Sequence, residues 1–181
     1  MVQKPHARTG RVHTPPRTWL IVGLAVASIV LPLLIARLSE PAPETPAWRV
    51  LAIHDGDTVS CQAGDGRSRR IRLVGIDAPE FGQPFGRRAA DALAAKLEGR
   101  TVEVEDRGTD QHGRLLGRIR VVGRDVNLEM VADGWAWAFG FAPDETYLAA
   151  EADARRRRAG LWADPRPTPP AEWRALHPRQ R

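Results

Sequence analysis

Apolar positions recur along this chain with two different periods, and one long stretch has no period at all. From Thr18 to Ala36, nineteen consecutive residues are uncharged, close to the ~20 apolar residues that a bilayer core requires. No polar face runs along this stretch, which argues against a buried core helix. It is longer than a secretory h-region, ends at Arg37-Leu38-Ser39-Glu40 and has no clean Ala-x-Ala after it. It therefore reads as a transmembrane anchor, tolerant of Pro32, with secretion expected only if the anchor is cleaved. Lys4, Arg8, Arg11 and Arg17 precede it, so the positive-inside rule predicts a cytoplasmic tail over residues 1–17 and a periplasmic or extracellular location for everything after the span at 18–36. Residues 37–47 hold three prolines and are expected to form a stiff linker.

Beyond the linker the period is that of a mixed fold. Trp48 to Ile53 is an apolar-rich strand candidate, Asp55-Gly56 a turn, and Thr58 to Gln62 a second strand. Gly64-Asp65-Gly66 turns the chain into a third strand, Arg69 to Ile76, which must end at Asp77-Ala78-Pro79-Glu80 because proline cannot continue a ladder. Ala90, Leu93, Ala94 and Leu97 then fall at helical spacing, and Gly99 stops that helix. A strand from Thr101 to Glu105, a polar loop from Arg107 to Gly113 and a strand from Leu115 to Val122 follow. Asn127 is a candidate N-cap for a helix ending at Gly134. Trp135 to Phe139 alternates large and small residues as a strand does, with its aromatic side chains expected in the core. Leu148 to Arg158 has a helical pattern. Strands, a helix, strands and then helices give an α+β order that fits a small five-stranded barrel with about three helices. Residues 163–181 are rich in proline and arginine and read as a solvated tail.

The net charge of +5 changes this picture less than it suggests. Residues 1–17 hold four cations and no acid, and residues 163–181 hold an excess of two cations, so residues 18–162 carry −1. Net charge thus gives no argument that the folded body binds polyanions; the position of individual arginines has to carry that. The single cysteine, Cys61, excludes an intramolecular disulfide and a cysteine-based zinc site, and its place in a strand points to a buried inert thiol.

Candidate chemistry gathers at two strand exits. Asp55-Gly56-Asp57-Thr58 cannot be an EF-hand, since the twelfth position from Asp55 is Gly66 rather than a carboxylate. It matches the nucleophile motif of haloacid-dehalogenase-type phosphatases. That chemistry needs a downstream lysine on a doubly wound sheet, whereas Lys96 is the only lysine of the body and sits mid-helix. Alternatively Asp57 and Asp77, linked by the hairpin between their strands, supply two oxygen donors to one hard divalent cation. Arg72 lies on the strand before Asp77, Glu80 follows it, and Arg114 opens a strand after Thr109-Asp110-Gln111-His112-Gly113. Two arginines, two aspartates and a glutamate beside tight turns are what metal-assisted phosphodiester hydrolysis requires.

In order and spacing, Asp55-Gly-Asp-Thr58, Arg72-Leu-Val-Gly-Ile-Asp77-Ala-Pro-Glu80, Thr109-Asp-x-x-Gly-Arg114, Asn127 to Gly134 and Arg158-Ala-Gly-Leu-Trp162 resemble the staphylococcal nuclease (thermonuclease) family over residues 48–162. The resemblance implies an OB-fold barrel and a calcium-dependent endonuclease that hydrolyses DNA and RNA to 3′-phosphates, with no obligate protein partner. It assigns Asp57 and Asp77 as carboxylate calcium ligands, Ala78 as a backbone carbonyl ligand, Glu80 as the general base, and Arg72 and Arg114 as the phosphate-binding arginines. The groove departs from the pattern. Gln111 and His112 stand where the founding member has lysine and tyrosine, and Phe139 and Phe141 stand near the expected tyrosines. A phenyl ring can stack on a base for about 1–3 kcal/mol, but it has no hydroxyl for phosphate. A catalytically silent OB-fold module binding nucleic acid or protein is the other reading compatible with these motifs.

Overall fold

The computed structural model describes residues 47–140 and 144–178. The tail, anchor and linker expected over residues 1–47, except Ala47 at the start of the first strand, and Phe141, lie outside the described residues. Among the described residues no helix is long and apolar enough to cross a membrane.

Five strands make the barrel: β1 (Ala47–Asp55), β2 (Thr58–Gln62), β3 (Ser68–Leu73), β5 (Thr101–Thr109) and β6 (Leu115–Val121). They are ordered β3-β2-β1-β5-β6, antiparallel throughout, and a parallel pairing of β3 with β6 from Ile71↔Leu115 to Leu73↔Gly117 closes the sheet on itself. Closure leaves the barrel without an exposed edge along this seam. The alternation in β6 is complete, with Leu115, Gly117, Ile119 and Val121 buried and Leu116, Arg118 and Arg120 less so. Gly117 is required there, since a Cβ would stand 2.8 Å from Ile71 Cγ2 and 3.0 Å from Val104 Cγ1. Cys61 is fully buried, and burial pushes its thiol up to about 12, as expected for an inert core group.

Four α-helices lie among the described residues: α1 (Gly86–Leu97), α2 (Val126–Ala132), α3 (Glu145–Arg156) and α4 (Pro170–Leu176). Helix α1 buries Ala89, Ala90, Leu93 and Leu97, each fully buried leucine contributing about 1.5–3 kcal/mol.

Several elements differ from the sequence pattern. The third strand stops at Leu73 rather than Ile76, because Gly75 takes φ 78° and Val74 N–H donates to Gly117 O. The chain then restarts as β4 (Ile76–Asp77), which pairs with β8 (Trp137–Ala138) in a separate two-stranded sheet. The strand expected over Trp135 to Phe139 is thus only two residues long. Trp137 packs edge-on against Trp162 with ring centroids 5.3 Å apart. Phe139 is not core: it is 51 % exposed.

A tight turn, with Val122 at φ 50° and Gly123 at φ 74°, leads into β7 (Arg124–Asp125). Asp125, not Asn127, caps α2, accepting from Leu128 N–H at 3.0 Å. Asn127 is fully buried and bonds to Ile119 N–H, Val74 O and Gly117 O, tying α2 to the barrel seam. The solvated tail is also corrected. Pro170 is buried, Gln83 Nε2 donates to Thr168 O at 2.6 Å, and proline at the first turn starts α4.

Candidate active site

Asp57 occupies the turn between β1 and β2, and the close packing there depends on Gly56. A Cβ on Gly56 would lie 2.7 Å from the Cβ atoms of both Ala78 and Ala89. Asp57 N–H is held by Asp55 Oδ1 at 3.0 Å, while Asp57 Oδ1 accepts from Thr58 Oγ1 and Oδ2 from Ala78 N–H at 2.7 Å. The two aspartates lie 20 residues apart in sequence, and the β2–β3 hairpin returns the chain so that both meet one side chain. Arg72 Nη1 stands 2.5 Å from Asp57 Oδ2, and its Nη2 donates to Asp77 Oδ1 at 2.8 Å. Asp57 and Asp77 are 5 % and 2 % exposed.

Burial is the main influence on Asp57 and raises it; Arg72 opposes, Asp55 raises it further, the Ala78 N–H lowers it and Asp77 raises it, leaving the carboxyl pushed up to about 7. A buried carboxylate cluster of this kind suits a hard cation that takes all-oxygen ligands. No three His, Cys, Asp or Glu side chains among the described residues form a ready-made cage. A cation held by Asp57, Asp77 and a backbone carbonyl such as that of Ala78 would draw its other ligands from water and substrate. The site already accommodates positive charge, because Arg174 of α4 reaches Asp77 Oδ2 at 3.0 Å, Asp77 Oδ1 at 3.4 Å and Glu80 Oε1 at 2.9 Å.

Glu80 is set by the segment before α1. Its N–H donates to Gln83 Oε1, its carbonyl accepts from Gln83 N–H at 2.8 Å, and Gly86 N–H donates to Gln83 O. Gly86 has to lack a side chain, because a Cβ would come within 1.9 Å of Glu80 O.

Arg72, Glu80, Gln111, His112, Arg114 and Phe139 line one cleft of about 850 Å³, together with Arg70 and Arg174. Asp110 organises its far wall. Asp110 Oδ1 accepts from the backbone N–H of His112 and Arg114, and its Oδ2 accepts from Arg114 Nε at 2.7 Å. Desolvation is the largest single influence on Asp110 and tends to raise its pKa, but these hydrogen bonds together outweigh it and hold the carboxyl at about 2. Arg114 is thus aimed by its own loop and pairs with Asp110, whereas Arg72 pairs with the two buried aspartates. Gln111 and His112 touch through their Nε2 atoms at 3.3 Å on the exposed rim.

Lys96 lies away from this cleft and bridges Glu129 and Asp133 at 3.1 and 2.7 Å. It therefore lends no support to phosphatase chemistry. His54 bonds to Ser60 Oγ on the β1–β2 ladder. Sequence pattern missed Gln83, Gly86 and Arg174, and took Asn127 for a helix cap. Of these only Gly86 carried a signal, as a residue admitting close backbone approach.

Residues 70–164 match the family model described as Staphylococcal nuclease homologue. The chain is 37 % identical over 143 residues to an "Uncharacterized endonuclease" of Haemophilus influenzae, covering 78 % of this chain and 80 % of that protein. It is 42 % identical over 147 residues to "Protein ParB" of Escherichia coli, covering 72 % of this chain and 82 % of that protein. With the "Micrococcal nuclease" of Shigella flexneri it shares 37 % identity over 146 residues, 71 % of this chain and 83 % of that protein. The closed five-stranded barrel, the acids gathered at its rim and these matches together place the chain in the staphylococcal nuclease family.

Proposed function

We propose that this protein is a metal-dependent endonuclease that hydrolyses phosphodiester bonds of DNA and RNA, with calcium as its cation and 3′-phosphates as its products. The observation that carries this reading is the bridging of Asp57 and Asp77 by Arg72, with Glu80 beside them at the mouth of a cleft that Arg114 also lines. The names of the relatives point to the same chemistry.

Asp57, Asp77 and the carbonyl of Ala78 would hold the cation. When bound, it polarises the phosphoryl oxygen and offsets negative charge there. Glu80 accepts the proton of the attacking water at a carboxylate oxygen; as the new P–O bond forms the P–O5′ bond breaks, and the leaving 5′-oxygen takes a proton from solvent to become a hydroxyl. Arg72 and Arg114 donate from two sides to the phosphoryl oxygens on which charge builds. Arg72 also holds the two aspartates in place, so it serves the substrate and the acids at once. Phe139, half-exposed in the cleft, offers a face for a base. Gln111 and His112 make the rim polar, without the lysine charge or the tyrosine hydroxyl that the family's founding member has there.

End-group analysis after incubating the full-length chain with single-stranded DNA, RNA and duplex tests the reaction. Calcium-dependent products bearing 3′-phosphates are expected, and Glu80→Ala should slow turnover by about 10²–10⁴-fold with the fold retained. Near-parental activity in Glu80→Ala removes that residue's role. Binding with a steep salt dependence and no cleavage would favour the silent binding module instead.

The catalytic body is further proposed to face the periplasm or exterior on a single-pass anchor at residues 18–36, with the N-terminus in the cytoplasm. An enzymatic reporter fused after Arg181 should be active only outside the cytoplasm. Activity confined to the cytoplasm contradicts this orientation.

A further inference from the structure

Helix α4 lies at residues 170–176, beyond the residues 70–164 that match the family model, yet it reaches into the centre of the site. Arg174 donates to both oxygens of Asp77 and to Glu80 Oε1, the side chains read above as a cation ligand and the proton acceptor. Gln83, which sets the backbone of Glu80, also holds the incoming tail through Thr168 O at 2.6 Å. Trp173, stacked on His177 at 3.7 Å, lines a groove with Phe81 and Phe85. The tail is therefore docked at two points on the segment that carries the catalytic carboxylates.

We infer that Arg174 is a built-in competitor of the divalent cation, and that α4 is a latch which closes the metal-free site and is released when the metal binds. This rests on the metal reading of the site.

Charge argues for competition. Asp57, Asp77 and Glu80 face Arg72 and Arg174, so two guanidinium groups offset most of the charge that the three acids carry when all are ionised. With Arg174 withdrawn and Asp57 deprotonated, three carboxylates face one arginine, and the remaining negative charge matches a divalent ion. Arg72 takes Asp57 Oδ2 and Asp77 Oδ1, whereas Arg174 covers Asp77 Oδ2, the oxygen that Arg72 leaves to a cation; a guanidinium and a divalent cation at that oxygen repel one another, so binding of one disfavours the other.

The latch is built to let go. The Arg174 side chain is 45 % exposed although its partner Asp77 is buried, so solvent reaches the guanidinium and can take it up, while a divalent ion brings twice the charge to the same carboxylate. Helix α4 has seven residues, too few to persist without its contacts. Arg174 lines the same cleft as Glu80 and Phe139, so its release widens the space open to a phosphodiester strand.

Calorimetric titration of the metal-stripped full-length chain with calcium chloride, beside Arg174→Ala and Arg174→Lys, tests this without any turnover. Arg174→Ala should bind calcium about three- to tenfold more tightly, because the closed form no longer withdraws protein from the binding equilibrium. Arg174→Lys, which keeps the charge but loses the fork, should fall between. In the wild type, calcium should speed amide exchange across residues 168–177, and Arg174→Ala should show the fast exchange before any calcium is added. Equal affinity in wild type and Arg174→Ala, weaker binding in Arg174→Ala, or tail exchange indifferent to calcium each overturns the latch while leaving the metal site standing. Calcium binding to none of the three overturns the metal reading and the latch together.

Discussion

Asp57 shows what it takes to keep an acid in a protein interior. It is buried to 5 % exposure, and Arg72, the Ala78 N–H and the Thr58 hydroxyl are the groups that make its charged form tolerable. Burial still dominates, and its pKa rises from 3.8 to about 7. The folded state therefore holds a proton between about pH 4 and 7 that the unfolded state has lost. The stability this contributes is fully present below the unfolded value and is lost as pH rises through 7. A cation reverses the balance, because it binds the carboxylate and displaces that proton. The thermal stabilisation given by a fixed calcium concentration should therefore grow from pH 5 to 8, and calcium affinity should fall by about tenfold per pH unit below 7. Melting curves at stepped pH, with and without calcium, measure both. A calcium shift independent of pH would mean that Asp57 is ionised across the range or takes no part in binding.

Glu80 depends on one element above all, since the first residue of α1 sits directly on its carbonyl. Gly86→Ala would place a Cβ 1.9 Å from Glu80 O, so the Glu80 segment must move, and a misplacement of about 1 Å can cost about 10²-fold in rate. Turnover should drop by that order while calcium affinity, set by Asp57 and Asp77 on other elements, stays near wild type. Steady-state rates beside a calcium titration separate the two, and unchanged turnover would remove Gly86 as a positioning residue. At this scale the barrel was legible in the sequence. Strand alternation in Thr58 to Gln62 and Leu115 to Val121, and the helical spacing of Ala90, Leu93 and Leu97, are periods that burial imposes. What periodicity could not carry was pairing over long separations. Nothing local in Ile76-Asp77 specifies Trp137-Ala138 as its partner. Asn127 resembles a cap because its side chain can bond backbone nearby, and here that capacity is spent on the barrel seam. Asp57 and Glu80 were legible because each adjoins a glycine or proline that forces a turn, Asp77 because Pro79 follows two residues on, and Arg72 because it rides the strand that leads to them. Arg174 was not, since an arginine among prolines has the composition of a solvated tail and only the folded chain brings it to Asp77.

For the whole molecule, closing the barrel does the chemical work of assembly. The hairpins set Asp57 and Asp77 on one rim, the β3–β6 seam brings the Arg114 strand beside the Arg72 strand, and the segment before α1 carries Glu80 to the same cleft. No single element contains the site, so its integrity depends on the cooperative fold. The cation that this arrangement favours is the point on which the functional reading stands. The most direct measurement is the single-turnover cleavage rate of labelled single-stranded DNA by the full-length chain, taken as a function of calcium and in excess chelator. A rate that rises and saturates with calcium and falls to background in chelator is the expected result. Cleavage at the same rate in chelator would contradict a metal-dependent site at Asp57 and Asp77, and calcium-saturated protein that binds the strand without cutting it would contradict catalysis at Glu80.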